Sequence, residues 1–405
     1  MTGAPNTEAP TRMEIGLVLQ GGGALGAYEW GAITALFDLI DEAIGGGQDI
    51  TLRVVTGVSI GAINAACVVG ATDRADARNR LSAMWGDFMI DLPYLPPSAN
   101  RDLALYKVPH FYTYRSDLLA APTWTYLYDT HQLLQTLSDH VDFGVLNANK
   151  TTAFVITAVD VESGVLTRFT NQKVGRTQPT TIEPHHVLAS GSIPPQFPWT
   201  DISAGDGQVH HYWDGGIVDN TPLGDAIDAF SSDRGVTRLL VVMNLFPQTA
   251  SIPRSLIQVN ERLDQLRFGN RLRQDSSTAE QMNALIETIQ GLAALRHEPL
   301  PEHLQKGVDK ASAYKLVKLI EVSLNGAPDA VSDDPNSFRD FSREGIVKRR
   351  DAGRQIALSA LRESFGNQLT AWQRASKPST RQPRERQHHT HPLPPEGSAA
   401  VQQLI

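Results

Sequence analysis

The stretch MEIGLVLQGGGALGAYEWGAITALFDLI, residues 13–40, decides the fold of this chain. Its apolar opening, MEIGLVLQ, predicts a buried β-strand, and the apolar, alanine-rich run after the glycines predicts a helix. The glycines lie at the junction between them. Because glycine has no side chain, the backbone can turn sharply there and expose its N–H groups. The stretch therefore predicts a strand, a glycine loop and a helix, which is the repeating unit of an α/β fold.

The glycine loop has more than one interpretation. Gly21, Gly23 and Gly26 match the G-x-G-x-x-G pattern of dinucleotide-binding folds. Such a fold needs an acidic residue at the end of the second strand, but here the second strand runs into Val58 and Ser59. A phosphate-binding P-loop needs Lys-Ser or Lys-Thr after the glycines, and neither follows. The remaining use of the loop is to offer backbone N–H groups to an anion, such as the oxyanion of an acyl transfer.

A second motif, GVSIG at residues 57–61, follows a strand predicted over 52–57 and precedes the apolar run IGAINAACVVGA. A G-x-S-x-G string at a strand-to-helix junction is typical of a nucleophile elbow. Gly57 and Gly61 permit the cramped turn, and the hydroxyl of Ser59 then lies at a helix N-terminus, which favours developing negative charge. The alternative is a tight turn that happens to contain a serine.

The third motif, YWDGGIVDN at residues 212–220, supplies a candidate base. Asp214 ends an apolar, aromatic strand, and Gly215 and Gly216 let another backbone approach closely. A lone aspartate in such a turn is usually structural, and only the other two motifs favour a catalytic role. None of the histidines is flanked by turn residues that would aim it at a site, and we interpret them as ordinary polar side chains: His185, His186, His210, His211, His297, His303, His388, His389 and His391.

Taken together, these blocks resemble the patatin-like phospholipases. The resemblance is strongest from about residue 14 to 225 and is carried by the glycine loop, the elbow with Ala62 and Asn64, ASGSIPPQFP at 189–198, and Asp214-Gly215-Gly216 with Asn220 and Pro222 behind it. VVMNLFP and DFSREGIVKRRDAG are similar to a bacterial branch of the family. Many members carry Arg or Lys where this chain has Leu25, so any anion-steering role of that side chain is absent here.

The resemblance implies a three-layer α/β fold, with a central, mostly parallel sheet flanked by helices and a helical C-terminal extension. It also implies a Ser-Asp dyad that works without histidine, in which Ser59 attacks an ester carbonyl and Asp214 accepts its proton. The glycine loop would hold the oxyanion, chiefly through the N–H groups of Gly22 and Gly23, with Ala24 as a further donor. We expect no metal and no cofactor. The expected site residues are Ser59 and Asp214 as catalytic pair, Gly21, Gly22, Gly23, Ala24 and Gly26 in the oxyanion hole, and Gly57, Gly61, Gly215 and Gly216 as support.

The segment 91–128 is the best clue to the substrate, because it holds eight of the 28 aromatic residues of the chain together with several prolines. A solvated linker would be poor in aromatic residues. The segment either packs over the core as an irregular layer or forms a cover, a groove wall for an acyl chain or a surface for lipid interfaces, and both roles are compatible. Substrate class stays open between a phospholipase A or lysophospholipase, a related esterase such as a polyester depolymerase or acyltransferase, and a non-catalytic lipid-binding relative.

The remaining pattern alternates strands and helices. We predict strands at 14–20, 52–57, 152–160, 165–170, 209–213, 237–244 and 315–323, and helices at 24–43, 60–71, 75–90, 129–140, 222–230, 255–272, 279–295 and 342–373. Apolar stripes in the two helices after residue 250 are interpreted as core contacts: Leu256, Val259, Leu263 and Leu266, then Met282, Leu285, Ile286 and Ile289. The predicted organisation is a disordered tail at 1–12, a catalytic domain at 13–373 with helical additions at 250–300, and a disordered tail at 374–405.

Composition favours a globular enzyme. The chain has 405 residues, 41% hydrophobic and 20% charged, and its net charge of −8 disfavours nucleic acid as a partner. Its single cysteine, Cys67, cannot form an internal disulfide and is expected in the core. No apolar run of transmembrane length and no secretory signal is present, so we expect a cytoplasmic protein with at most peripheral membrane contact; the oligomeric state stays open.

Overall fold

A computed structural model of the protein describes residues 12–91, 109–203, 207–233, 235–246, 252–254, 256–295, 300–324 and 338–375. Eight strands of the described part form one sheet, in the order β10-β9-β1-β2-β5-β8-β7, with β6 paired to β5. Strands β1, β2, β5, β9 and β10 run parallel, whereas β6 and β8 are antiparallel to β5 and β7 is antiparallel to β8. The strands are β1 Arg12–Leu19, β2 Ile50–Gly57, β5 Ala153–Asp160, β6 Leu166–Thr170, β7 Thr200–Ser203, β8 Val209–Asp214, β9 Val236–Asn244 and β10 Lys318–Ser323; β3 Thr113–Tyr114 and β4 Tyr128–Asp129 form a separate antiparallel pair.

Helices cover the sheet, which confirms the predicted α/β class. They are α1 Gly26–Gly45, α2 Ile60–Val69, α3 Arg74–Phe88, α4 His131–His140, α5 Phe143–Ala148, α6 Pro184–Ser190, α7 Leu223–Ala229, α8 Leu256–Ala294, α9 Glu302–Ala313 and α10 Arg343–Ala375. All predicted strands exist. Strands β3, β4 and β7 and helices α5, α6 and α9 are additional to the prediction.

The C-terminal helix α10 packs against α1 on one face of the sheet. Two glycines allow this close crossing, because a Cβ on Gly31 would collide with the backbone of Arg350, and one on Gly353 with the backbone of Tyr28. Helix α10 is therefore part of the main core rather than an appendage, and its residues Ile346, Ala357 and Leu361 are fully buried there.

The prediction of two helices at 255–272 and 279–295 is wrong, since α8 is one continuous helix. Its middle, Asp275 to Thr278, is rich in residues that favour loops, but the Thr278 hydroxyl bonds back to the carbonyl oxygen of Gln274 and the helix continues. The interpretation of its stripes as core contacts is also wrong for most members. Ile286 is buried and Ile289 half-buried, but the others are exposed: Leu256, Val259, Leu263, Leu266, Met282 and Leu285.

Part of the aromatic segment 91–128 lies outside the described residues, including Tyr94 and Tyr106. The described part forms an irregular layer over the core. Phe111 is buried against Phe88 and Phe341, and Tyr112 packs on Phe197. Most of both predicted tails also lies outside the description, although Arg12 already belongs to β1 and α10 continues to Ala375.

Candidate active site

The elbow at Ser59 is the most strained point of the described backbone. Ser59 has φ 55° and ψ −124°, and it is the only non-glycine residue with a positive φ among the residues that the structure describes. Such a conformation costs on the order of 1–3 kcal/mol and needs a rigid surrounding. Ser190 contributes to this rigidity, because the Ser59 N–H donates both to its carbonyl oxygen and to its side-chain hydroxyl.

The backbones of β1, β2 and α2 pack so closely at the elbow that only glycine fits at two positions. A Cβ on Gly57 would collide with the backbone of Gly61, and one on Gly61 would come within 2.6 Å of the Leu19 carbonyl oxygen at the end of β1. Helix α2 therefore begins directly against the first strand. The Ser59 side chain is held at the N-terminus of this buried helix, where the helix dipole favours negative charge.

The register of the sheet brings Asp214 to the same place. Gly57 of β2 pairs with Ile156 of β5, and two residues further along β5, Ala158 pairs with Asp214 at the end of β8. The Asp214 carboxylate accepts the Gly216 N–H at 2.7 Å, and it lies close enough to the Ser59 hydroxyl for that group to lower its pKa. Residues 155 positions apart in the chain thus come together.

The environment of Asp214 makes it a stronger base than an exposed aspartate. Its side chain is 2% exposed, and this burial raises its pKa from 3.8 to about 7, although the interactions with Ser59 and Gly216 act in the opposite direction. The apolar residues that follow Ser59 and Asp214 in the chain differ in exposure. Ile60 is buried, but Ile217 and Val218 are 45% exposed and line the surface beside the carboxylate.

Some N–H groups of the glycine loop donate hydrogen bonds to acceptors among the described residues, and others do not. Gly21 donates to the side-chain oxygen of Asn220 at 3.0 Å, Ala24 donates to the Phe338 carbonyl at 2.9 Å, and Gly26 donates to the carbonyl oxygens of Gly23 and Ala24. These three groups are engaged, so they shape the loop instead of facing a substrate. The N–H groups of Gly22 and Gly23 find no acceptor within the described part of the chain.

Hydrogen bonds from the side chains of Asn220 and Gln20 hold the loop in position. Asn220 bonds Gly21 in both directions, since its Nδ2 also donates to the Gly21 carbonyl at 3.0 Å. Gln20 donates to the Thr221 hydroxyl and accepts the N–H of Leu245. These bonds join the ends of β1, β8 and β9 at one edge of the sheet, which we call the catalytic edge.

A fully buried carboxyl group links the loop to the elbow helix. Glu29 of α1 accepts the Gln20 N–H at 2.7 Å and an Asn64 Nδ2 bond at 2.9 Å. Asn64, on α2, in turn accepts the Nε1–H of Trp85. Burial raises the pKa of Glu29 to about 8. Asn64 of this network and Ser190 of the elbow contact stood within the recognised blocks, whereas Gln20, Glu29 and Phe338 carry no local signal of their contacts.

Several histidines of the described residues have partners elsewhere. His210 contacts Asp160, His211 contacts Asp201, and the Nδ1 of His186 accepts the Glu183 N–H. Ser59 and Asp214 make no hydrogen bond to a histidine within the described residues. That part of the chain also contains no cluster of three or more metal-ligating side chains and no helix able to cross a membrane. A cavity of about 840 Å³ lies at the opposite edge of the sheet, lined by Ile50, Thr51 and Arg78 among others, and is remote from the dyad.

Among curated proteins, none matches the chain. Solved structures that are similar to the chain at low identity include VipD from Legionella pneumophila (14% identity, 88% of this chain and 68% of that chain, TM-score 0.36), human GIVD cytosolic phospholipase A2 (11%, 90% and 60%, 0.42), and the ExoU-SpcU complex of Pseudomonas aeruginosa (15%, 91% and 78%, 0.28). The chain spans 60% of the human enzyme.

The sequence match to a family is more decisive. A model described as patatin-like phospholipase matches residues 17–227, which is more than half of the chain. The matched range contains the glycine loop, the elbow and Asp214, and it extends to α7. This chain belongs to the patatin-like phospholipase family.

Proposed function

We propose that this protein hydrolyses carboxylic esters of lipids, as a phospholipase A or lysophospholipase, through a Ser59-Asp214 dyad. Membership in the family supports lipid acyl hydrolysis in general. The observation that carries the specific proposal is the strained Ser59, which lies next to a buried aspartate whose pKa its hydroxyl lowers.

The first step is attack of Ser59 on the ester carbonyl. Asp214 accepts the hydroxyl proton as the C–O bond forms, and a general base of this kind accelerates a reaction roughly 100- to 10,000-fold. A carboxylate with a pKa near 7 is better matched to this task at neutral pH than one near 3.8, because the proton transfer is less uphill.

Negative charge on the carbonyl oxygen is stabilised by the N–H groups of Gly22 and Gly23 and by the N-terminus of α2. A single oxyanion donor is typically worth about 100- to 1,000-fold in rate. Asp214 then donates its proton to the leaving alcohol, and an acyl group stays on Ser59. Water, deprotonated by Asp214, releases the fatty acid and restores the serine.

The aromatic layer beside the dyad supports an acyl substrate. Ser192 accepts the Asp214 N–H through its carbonyl oxygen, and the chain continues from there to Phe197, which packs on Tyr112 and Tyr128. These rings form an apolar wall that begins five residues after Ser192, which bonds to the backbone of Asp214. We propose that they contact the acyl chain.

A fluorophosphonate probe tests the nucleophile directly. We expect labelling at Ser59 in the wild type and none in Ser59→Ala, together with hydrolysis of nitrophenyl esters that Ser59→Ala abolishes. A panel of phospholipids and lysophospholipids of varied head group and chain length then defines the substrate. Labelling at another residue, or an active Ser59→Ala, would overturn the proposal.

A further inference from the structure

The first half of α8 carries an apolar stripe that points away from the protein. The α8 stripe consists of Leu256, Val259, Leu263 and Leu266, which are 40 to 82% exposed. Polar residues of the same turns, Arg262, Asp264 and Gln265, are less exposed than these leucines. Folded proteins seldom leave a contiguous apolar stripe outermost unless it contacts a partner.

The position of α8 places this stripe at the catalytic edge. Phe268 stacks on Phe246, just after β9, whereas Asn283 bonds to Val317, just before β10. Since β9 and β10 are parallel, α8 crosses from the catalytic edge to the opposite edge between these two contacts. The twelve residues before Phe268 therefore continue beyond the catalytic edge, by about 18 Å at 1.5 Å per residue.

Further contacts connect the helix to the site. The positive charges of Arg267 and Arg339 act on the half-buried Asp264 carboxylate. Arg339 adjoins Phe338, whose carbonyl oxygen accepts the Ala24 N–H of the glycine loop. Exposed apolar side chains follow the base itself, at Ile217 and Val218. The stripe thus lies at the same edge of the sheet as Ser59 and Asp214.

Charge distinguishes between the partners that could cover the stripe. Residues 254–273 contain five arginines against one glutamate and one aspartate, in a chain of net charge −8. A second copy paired through this surface would bring two groups of arginines together, which is unfavourable. A basic helix with an apolar face instead matches an anionic lipid surface.

We propose that the α8 stripe docks the protein on bilayers that contain anionic lipids. The leucines enter the boundary between head groups and acyl chains, and the arginines contact the head-group phosphates. Docking by this surface holds the catalytic edge against the membrane, a consequence that rests on the function proposed above. Docking itself requires no turnover.

Vesicle sedimentation of the Ser59→Ala protein tests docking apart from catalysis. We expect binding to vesicles of phosphatidylcholine with phosphatidylglycerol, at least about tenfold weaker binding to phosphatidylcholine alone, and weakening by salt. The double variant Leu256→Gln/Leu263→Gln should reduce affinity by at least about tenfold, because two buried side chains are lost from the membrane.

A matched control comes from the other half of the same helix. Leu285 and Leu292 have the same seven-residue spacing and are 53 and 62% exposed, but they lie beyond Asn283, at the opposite edge. Leu285→Gln/Leu292→Gln should bind vesicles like the parent. Equal losses in both variants, or no binding by the parent, would overturn the proposal. So would size-exclusion data in which Leu256→Gln/Leu263→Gln converts a dimer to a monomer.

A soluble ester separates this proposal from the proposed function. In the background with Ser59 intact, Leu256→Gln/Leu263→Gln should hydrolyse nitrophenyl butyrate like the wild type while it loses activity on anionic vesicles. Absence of soluble-ester hydrolysis in the wild type would contradict the catalytic proposal and leave the vesicle-binding result as an independent measurement. Circular dichroism checks that each variant keeps its helix content.

Discussion

Arg349 donates to both the backbone carbonyl and the carboxylate of Asp340, and both side chains are almost fully buried. This pair fixes the turn before α10, two residues after Phe338, whose carbonyl oxygen accepts the N–H of Ala24. The glycine loop therefore depends on a contact more than 300 residues away in the chain. The shape of the glycine loop and the anchoring of α10 are coupled through this turn.

Replacing the arginine should affect both stability and catalysis. Arg349→Met leaves the Asp340 carboxylate without its cationic partner, and breaking a buried pair costs about 3–5 kcal/mol. We expect a lower free energy of unfolding in urea and a lower kcat with little change in KM for a soluble ester. Arg343→Met removes a surface pair with Asp91 and should cost less than about 1 kcal/mol. Equal effects of the two variants would contradict the role given to Arg349.

The ionised form of Asp214 should lower the free energy of unfolding at the pH at which a carboxylate base is required. Its folded pKa of about 7 lies above the ordinary 3.8, so its protonated form is favoured in the native state. This contribution is fully present below pH 4 and is lost as the pH rises through 7. Asp214→Asn should therefore unfold like the wild type near pH 4 but be more stable, by up to a few kcal/mol, at pH 8. Urea unfolding at the two pH values measures the difference.

The same ionisation should appear in the rate. Because the base must be a carboxylate, kcat/KM for a soluble ester should rise with pH around 7, and Asp214→Asn should lose about 100- to 10,000-fold at pH 8. A flat pH profile from 5 to 8 would argue against Asp214 as the base, as would an Asn variant that is active and still labelled rapidly by a fluorophosphonate.

The two-way bond between Asn220 and Gly21 should be needed for the shape of the loop. Asn220→Asp removes the Nδ2 donor and places a carboxylate beside the Gly21 carbonyl oxygen. We expect kcat to fall about 10- to 100-fold through displacement of the neighbouring N–H groups. Asn149→Asp, at the opposite edge, retains the acceptor for the Thr151 and Thr152 N–H groups and should keep full activity.

The elbow should not tolerate a single added methyl group. In Gly61→Ala the new Cβ lies 2.6 Å from the Leu19 carbonyl oxygen, so α2 must move away from β1. We expect a loss of about 1–3 kcal/mol in stability and of most fluorophosphonate labelling. Gly86→Ala is the control, since nothing lies within 4 Å of its Cβ in α3, and it should stabilise by about 0.5–1 kcal/mol. Retained labelling in Gly61→Ala would contradict the tight packing.

Local patterns in the sequence predict the elements that glycines and apolar runs define. The loop before α1, the elbow at Ser59 and the strand that ends at Asp214 are all of this kind, and their strands are confirmed. The Phe338 carbonyl and the Ser190 contact could not be predicted, because each joins backbone groups that only the tertiary fold brings together. A helical period likewise reveals a stripe such as Leu256 to Leu266 but not whether the core lies on that side.

Because α1 and α10 cross closely at Gly31 and Gly353, a truncated fragment that lacks α10 should fold poorly. An excised fragment of residues 17–227 would contain Ser59 and Asp214 but would lack β9 and most of β1, leaving β2 as an open edge strand with unpaired N–H and C=O groups. It would also lose the helix that shields α1 from water. We therefore expect such a fragment to aggregate, so recombinant truncations should extend at least through residue 365.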